Sequence, residues 1–234
     1  MAWYGGVDLG ATNVKAAVGD DAGVVVGQAE RPTPTGPDGD AVGAAVVETL
    51  VDAAADGGVA PNELVAVGVG SVGPLDSAAG AVVDSANLPA GIEHVPLVDP
   101  LEERFGAEVT LHNDAVAGVI GERFYADRTP ADMAYVTISS GIGAGVTVDG
   151  NVLSGWDGNA AEVGHWMVEP GGLPCGCGST ATGRPTARAT TSPSTPATFT
   201  RPKVSRPDSR LTPRSSTHPP CSPPPGRTRW PTGR

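Results

Sequence analysis

Lysine is almost missing from the first 180 residues: Lys15 stands alone there, with four arginines against 25 acidic residues. A surface of that sign repels phosphate backbones, which argues against nucleic acid as a partner. It favours hydration at high ionic strength over compactness at low salt, the pattern of a halophilic source. Cysteine is scarce as well. Cys175 and Cys177 are one residue apart, too close for an easy disulfide, and Cys221 lies far beyond them, so metal binding is the better use of the pair. No apolar run approaches the ~20 residues of a membrane span. No basic-then-apolar leader follows Met1, so the chain reads as soluble and cytoplasmic. A Walker A loop is missing too, because Lys15 lacks the Gly-Lys-Ser/Thr context.

The composition breaks after Thr180. Residues 181–234 hold ten basic residues against one acidic, together with 12 of the 23 prolines. Such a segment cannot bury enough apolar surface to offset its ordering entropy and is expected to be disordered. It also has the look of a G+C-rich gene read out of frame. Codons for Ala181 to Arg188 can be chosen so that a frame displaced by one base reads His-Trp-Glu-Ala-Tyr-Cys-Ser.

Upstream of the break the pattern is that of an α/β protein. Trp3–Leu9, Val14–Gly19 and Gly23–Glu30 predict a three-stranded antiparallel meander. Val42, Val46, Leu50 and Val51 sit at helical spacing within 38–57. A buried strand is expected at Leu64–Val69, a helix at Leu97–Phe105, a strand at Glu108–Leu111 and a helix from Ala115 to Tyr125 capped by Asn113 or Asp114. Met133–Ile138 and Gly143–Val148 predict a second hairpin. Meander, alternation, then meander again implies an α/β lobe over 1–115 and the start of a second over 116–180.

Several segments could carry chemistry. In Asp8-Leu9-Gly10-Ala11-Thr12-Asn13 an acidic residue ends a strand, Gly10 lets a ligand approach the backbone, and Thr12 offers a hydroxyl and an N–H. A structural turn would use the same residues. Ser139-Ser140-Gly141-Ile142-Gly143-Ala144-Gly145 presents consecutive N–H donors and is equally ambiguous alone. Asp114, at a strand-to-helix junction, could take a proton from a hydroxyl attacking a γ-phosphate, or could merely cap the helix. Glu162-Val163-Gly164-His165 followed by Cys175-Gly176-Cys177-Gly178 looks like three-quarters of a zinc site beside a carboxylate. Trp156 and Trp166 are expected in the core rather than against a ligand, and His94 and His112 as structural or solvated.

Taken in order, Asp8-Leu-Gly10-Ala-Thr12, Asn87-Leu-Pro89, Asn113-Asp114-Ala115, Ser140-Gly141-Ile142-Gly143-Ala-Gly145, Glu162-Val-Gly-His165 and Cys175-Gly-Cys177-Gly178 resemble the motifs of the ROK family of sugar kinases and repressors, its ATP-dependent glucokinases in particular. The resemblance covers residues 4–180. It implies an actin-like, ribonuclease H-like ATPase fold, with the N-terminal lobe followed by an incomplete second lobe. It implies Asp114 as the base that deprotonates a hexose hydroxyl, glucose being the best substrate, with Asn87, Asn113, Glu162 and His165 holding other hydroxyls. By the same resemblance Asp8, Gly10 and Thr12 face the phosphates of ATP and Mg²⁺, and Ser140, Gly141 and Gly143 meet them from the second lobe. His165, Cys175 and Cys177 would bind Zn²⁺, and a homo-oligomer is possible for the full-length form. The family pattern then continues Gly-x-x-Gly-Cys-x-Glu. Here Thr182 and Arg184 stand at the last ligand and a second sugar-binding Glu, whereas the displaced frame supplies His and Glu. A sugar-sensing repressor is disfavoured because the first strand begins by Trp3, leaving no room ahead for a helix-turn-helix. An inert kinase fragment is the remaining alternative.

Overall fold

A computed structural model describes residues 2–85, 88, 92–138, 141–156 and 158–167. All of them belong to one compact unit. Strands β1 (Trp3–Leu9), β2 (Asn13–Asp20) and β3 (Val25–Pro32) form the expected antiparallel meander. Helix α1 (Gly39–Asp56) follows, its first N–H groups capped by the Asp38 carboxylate. Strand β4 (Leu64–Ser71) then pairs parallel to β1.

Three short strands, β5 (Leu75–Asp76), β6 (Ala81–Val83) and β7 (His94–Pro96), make a small antiparallel sheet of their own. Helix α2 (Val98–Phe105) ends at Gly106, in the left-handed conformation that glycine adopts without strain. Strand β8 (Glu108–Asn113) pairs parallel to β4 and completes a five-stranded sheet ordered β3-β2-β1-β4-β8. Helix α3 (Asp114–Tyr125) leads into β9 (Met133–Ile138), β10 (Ile142–Val148) and β11 (Asn151–Val152), a second three-stranded sheet.

One face of the large sheet is closed. Val7, Leu9, Val14, Val18, Val67 and Val69 lie against Val42, Val46 and Leu50 of α1 and Leu101 and Phe105 of α2, all nearly or fully buried. Each such side chain contributes about 1.5–3 kcal/mol on leaving water. Close approach is built in: a Cβ on Gly43 would strike Pro96 O at 2.6 Å, and one on Gly27 would strike the α1 backbone at Ala53. Among the described residues the opposite face is covered by α3, over part of its width. The alternating pattern that predicted the meander is therefore the pattern of this closed face.

The small β5-β6-β7 sheet was not expected. Its strands are two or three residues long, too short for a period of two to show. Trp156 and Trp166 depart from expectation more sharply. Trp156 is fully exposed and Trp166 is 66% exposed, so neither packs in the core. Both sit in the segment after β11, where the described residues form no element longer than one 3-10 turn to fold them inward.

Candidate active site

The parallel strands β1, β4 and β8 end together: Leu9 is level with Ser71, and Ser71 with Asn113. In open α/β sheets ligands bind beyond the carboxyl ends of parallel strands, and the candidates Asp8, Gly10, Thr12, Asn113 and Asp114 lie at or just past them. Asp8 is one residue before the end of β1. The following turn is held by the Gly10 N–H donating to Asn13 O at 3.0 Å and by the Thr33 hydroxyl donating to Gly10 O at 2.8 Å. Thr33 N–H reaches Thr12 O at 2.9 Å, which leaves the Thr12 side chain exposed at the tip.

At the end of β8 the chain turns directly into α3. Ala115 N–H donates to Asn113 Oδ1 at 3.0 Å and to Asp114 Oδ1 at 2.7 Å. Asn113, with extended backbone, is the N-cap, and Asp114 is the first helical residue. The cap therefore does not exhaust Asp114. Burial pushes its carboxyl above the ordinary aspartate value, against the opposing pull of the Ala115 N–H. Asp8 is raised too, first by burial and then by the negative charge of Asp114, while Lys15 acts the other way. Both carboxylates keep a face open to water. A half-buried carboxylate that feels a second one nearby, as Asp8 feels Asp114, is a place where a cation or a proton is welcome.

Gly70 of β4 is paired with Asp8 on one side and His112 on the other. A Cβ there would come within 2.9 Å of the Ala117 methyl, so glycine is what lets α3 lie on the sheet and bring Asp114 alongside. His112 is half-buried and its imidazole is held below its ordinary value by that burial, hence neutral at pH 7. It lines two cavities of about 740 Å³ each. One runs over the sheet past Asp8 and Lys15. The other lies between the β5 turn and residues 154–158, where Trp156 forms part of the wall. Of the two expectations for His112, structural or solvated, its half-burial fits the structural one, and it stands beside the strand ends that carry Asp8.

The second sheet approaches the same corner. Gly143 faces the Ala115 methyl, at 3.4 Å from where its own Cβ would stand, and Gly145 leaves no room for a side chain against Ala115 O. Gly143 thus has a packing role beside Asp114. Gly141 precedes β10, partly buried. Beyond β11, Asn159 donates to Leu75 O at 3.1 Å and accepts from Leu75 N–H at 3.2 Å, tying this segment to the β5 strand. Residues Val163–His165 form a single 3-10 turn. Gly164 packs on Ile142 O, and His165 Nε2 stands 3.8 Å from Glu162 Oε2. Asn159 had no sequence signal, since its partner is 84 residues away.

Asn87, Ser140, Cys175, Cys177 and the tail 181–234 lie outside the described residues. Among the described residues no three His, Cys, Asp or Glu side chains are grouped to hold a metal, and His165 is the only proposed zinc ligand there. None of the described helices is long and apolar enough to cross a membrane.

Comparison with known proteins adds the following. The profile of the ROK family matches residues 4–182. A glucokinase of Pyrobaculum calidifontis is 40% identical over 182 residues, which is 76% of this chain and 54% of that protein. A glucokinase of Thermotoga maritima is 38% identical over 175 residues, 74% of this chain and 53% of that protein. Among solved structures, a ROK hexokinase from Thermus thermophilus is 35% identical with a TM-score of 0.65, covering 77% of this chain and 58% of the other. A ROK family glucokinase from Streptomyces griseus, in complex with glucose and AMPPNP, is 34% identical with a TM-score of 0.66, covering 77% and 55%. The fold is accordingly the actin-like, ribonuclease H-like ATPase fold. The chain spans about half the length of the curated relatives it matches.

Proposed function

The chain belongs to the ROK family, and we propose that it carries the sugar-binding and catalytic half of an ATP-dependent hexose kinase, with glucose as the substrate. The observation that carries this reading is the placement of Asp8 and Asp114 at the carboxyl ends of β1 and β8, both raised above their ordinary values first by burial, Asp8 also by the charge of Asp114. The relatives named glucokinase and the glucose and AMPPNP complex of one of them support it.

In this mechanism Asp114 accepts the proton of the hexose hydroxyl as that oxygen attacks phosphorus. A carboxylate of raised pKa is the better base for a hydroxyl, and its helix start fixes the direction of its lone pairs. Asn113, Glu162 and His165, with Asn87, hold the remaining hydroxyls. The Gly10–Thr12 turn offers backbone N–H groups and a hydroxyl to the phosphates, and Ser140, Gly141 and Gly143 meet them from the side of the second sheet. Mg·ATP supplies the γ-phosphoryl group and the charge that Asp8 is placed to face. His165, Cys175 and Cys177 are a donor set suited to Zn²⁺. The acidic surface is the adaptation of a protein working at high salt, and the lobe boundary falls near residue 115, where β8 passes into α3.

The 234-residue chain by itself is expected to show no hexokinase turnover, because half of a family member's length is not represented in it. Joining residues 1–180 to the unmatched remainder of the Pyrobaculum calidifontis glucokinase is expected to give glucose-dependent ADP formation in high salt. A folded chimera that binds neither glucose nor ATP overturns the reading.

A further inference from the structure

The segment after β11 reaches the site through a side chain that no motif marks. Asn159 bonds the backbone of Leu75 in both directions: its amide donates to Leu75 O at 3.1 Å and its carbonyl accepts from Leu75 N–H at 3.2 Å. These are the two bonds a neighbouring strand would make to that residue. Leu75 is a fixed point. Its side chain is 5% exposed within the core. The link that leads to it from β4 is held by Val72 N–H donating to Leu9 O at 3.2 Å and by the Ser85 hydroxyl donating to Gly73 O at 2.9 Å. Next to Asn159, Gly158 lets the segment press on the β5–β6 turn, since a Cβ there would stand 2.6 Å from Ser77 Oγ. Gly73 is where two amides come together: its own Cβ would be 3.4 Å from Asn113 Nδ2 and 4.0 Å from Asn159 Oδ1. Asn159 thus brings its segment up to the residue that caps α3 beside Asp114.

Glu162 lies three residues further on, and the backbone that carries it is fixed as well. Ala161 has φ 63°, in the left-handed region where a Cβ is strained. Glu162 follows with φ −68° and ψ 54°, an inverse γ-turn closed by Val163 N–H donating to Ala161 O at 2.7 Å. A strained residue of this kind persists only where its surroundings over-determine it. On one side of Ala161 stands the Asn159 clamp. On the other stands Gly164, whose Cβ would be 2.3 Å from Ile142 O. Glu162 is therefore presented from an exposed turn gripped at both ends, by β5 and by β10.

We propose that Asn159 is a positioning residue of the hexose site, an inference that rests on the hexose reading above. By clamping Leu75 it sets where the Glu162 carboxylate stands relative to Asn113 and Asp114, and so governs sugar affinity through Glu162.

Asn159→Ala removes both bonds. Asn159→Asp keeps the size and the acceptance from Leu75 N–H but sets a carboxylate oxygen against Leu75 O. In the 234-residue chain, hydrogen exchange at the amides of 160–166 is expected to be at least about tenfold faster in each variant, with β1 and β4 unchanged. In the chimera with the unmatched remainder of the Pyrobaculum calidifontis glucokinase, each variant is expected to bind glucose at least about tenfold more weakly, the order of two hydrogen bonds, and AMPPNP as the parent does. A residue that only supports the fold would weaken both ligands alike. Ala161 approaches the same point independently: Ala161→Val, β-branched at a positive φ, is expected to weaken glucose and spare AMPPNP, whereas Ala161→Gly keeps the turn and the parental glucose affinity. Unchanged exchange at 160–166, parental glucose affinity in Asn159→Ala, or equal losses for the two ligands overturns the inference and leaves the hexose reading standing. A folded parent chimera that binds AMPPNP but not glucose overturns the hexose reading itself, and the inference with it.

Discussion

The two faces of the five-stranded sheet follow different rules. The face toward α1 is a run of Val, Leu and Ala side chains with exposures near zero, and its glycines each answer to a specific neighbour. The face toward α3 carries Asp8, Lys15 and His112 in one row and Gly6 and Gly68 in the next. The first face is made for stability. The second gives up apolar packing to place charged groups at the carboxyl ends of the strands. Stability and chemistry are therefore separated across one layer of backbone, and substitutions should separate the same way.

The largest expected difference is in packing. Leu50→Ala, at a fully buried position, should cost about 2–5 kcal/mol. Ile120→Ala, on the open face, should cost under about 1 kcal/mol. Urea unfolding of the two variants compares them, and equal losses would mean that the α3 face is as well packed as the α1 face. A smaller effect of opposite sign is expected at Asp8. Its folded-state pKa is raised, so folding favours its protonated form. The associated destabilisation grows as pH rises from the unfolded value through the folded one and is fully present at neutral pH. Asp8→Asn should then stabilise the chain at pH 7 by under about 1 kcal/mol after solvent screening, and the gain should vanish below the ordinary aspartate range. A variant less stable at pH 7 would show that Asp8 makes a favourable contact that outweighs its repulsion from Asp114.

The closed face was the legible one. Alternation over β1 to β3 and the i, i+4 spacing of Val42, Val46 and Leu50 report burial directly, and these elements lie within two residues of expectation. The junction at Asn113-Asp114 was legible because a cap and a strand end leave a local signature. What escaped depends on distance along the chain. The β5-β6-β7 sheet is too short to have a period, and Asn159 meets its partner across 84 residues. His112 was read as structural or solvated because its position over Gly70 is a matter of sheet register. Trp156 and Trp166 were placed in the core by their chemistry alone, in a segment whose described residues form nothing longer than one 3-10 turn. Glycine is the most ambiguous of all. Gly10 reads equally as turn or ligand site, and only the fold shows that Gly70 is glycine because Ala117 of α3 packs over it.

The central claim is that Asp114 is a base and not merely part of a helix cap, a duty the structure gives to Asn113. Asp114→Asn in the glucokinase chimera tests it, because the amide keeps the size and hydrogen-bonding of the carboxylate but cannot take a proton. Single-turnover phosphorylation of glucose should fall by about 10²–10⁴-fold, with glucose affinity and Tm close to the parent. A variant that phosphorylates glucose at the parental rate contradicts the account and leaves Asp114 with the helix alone.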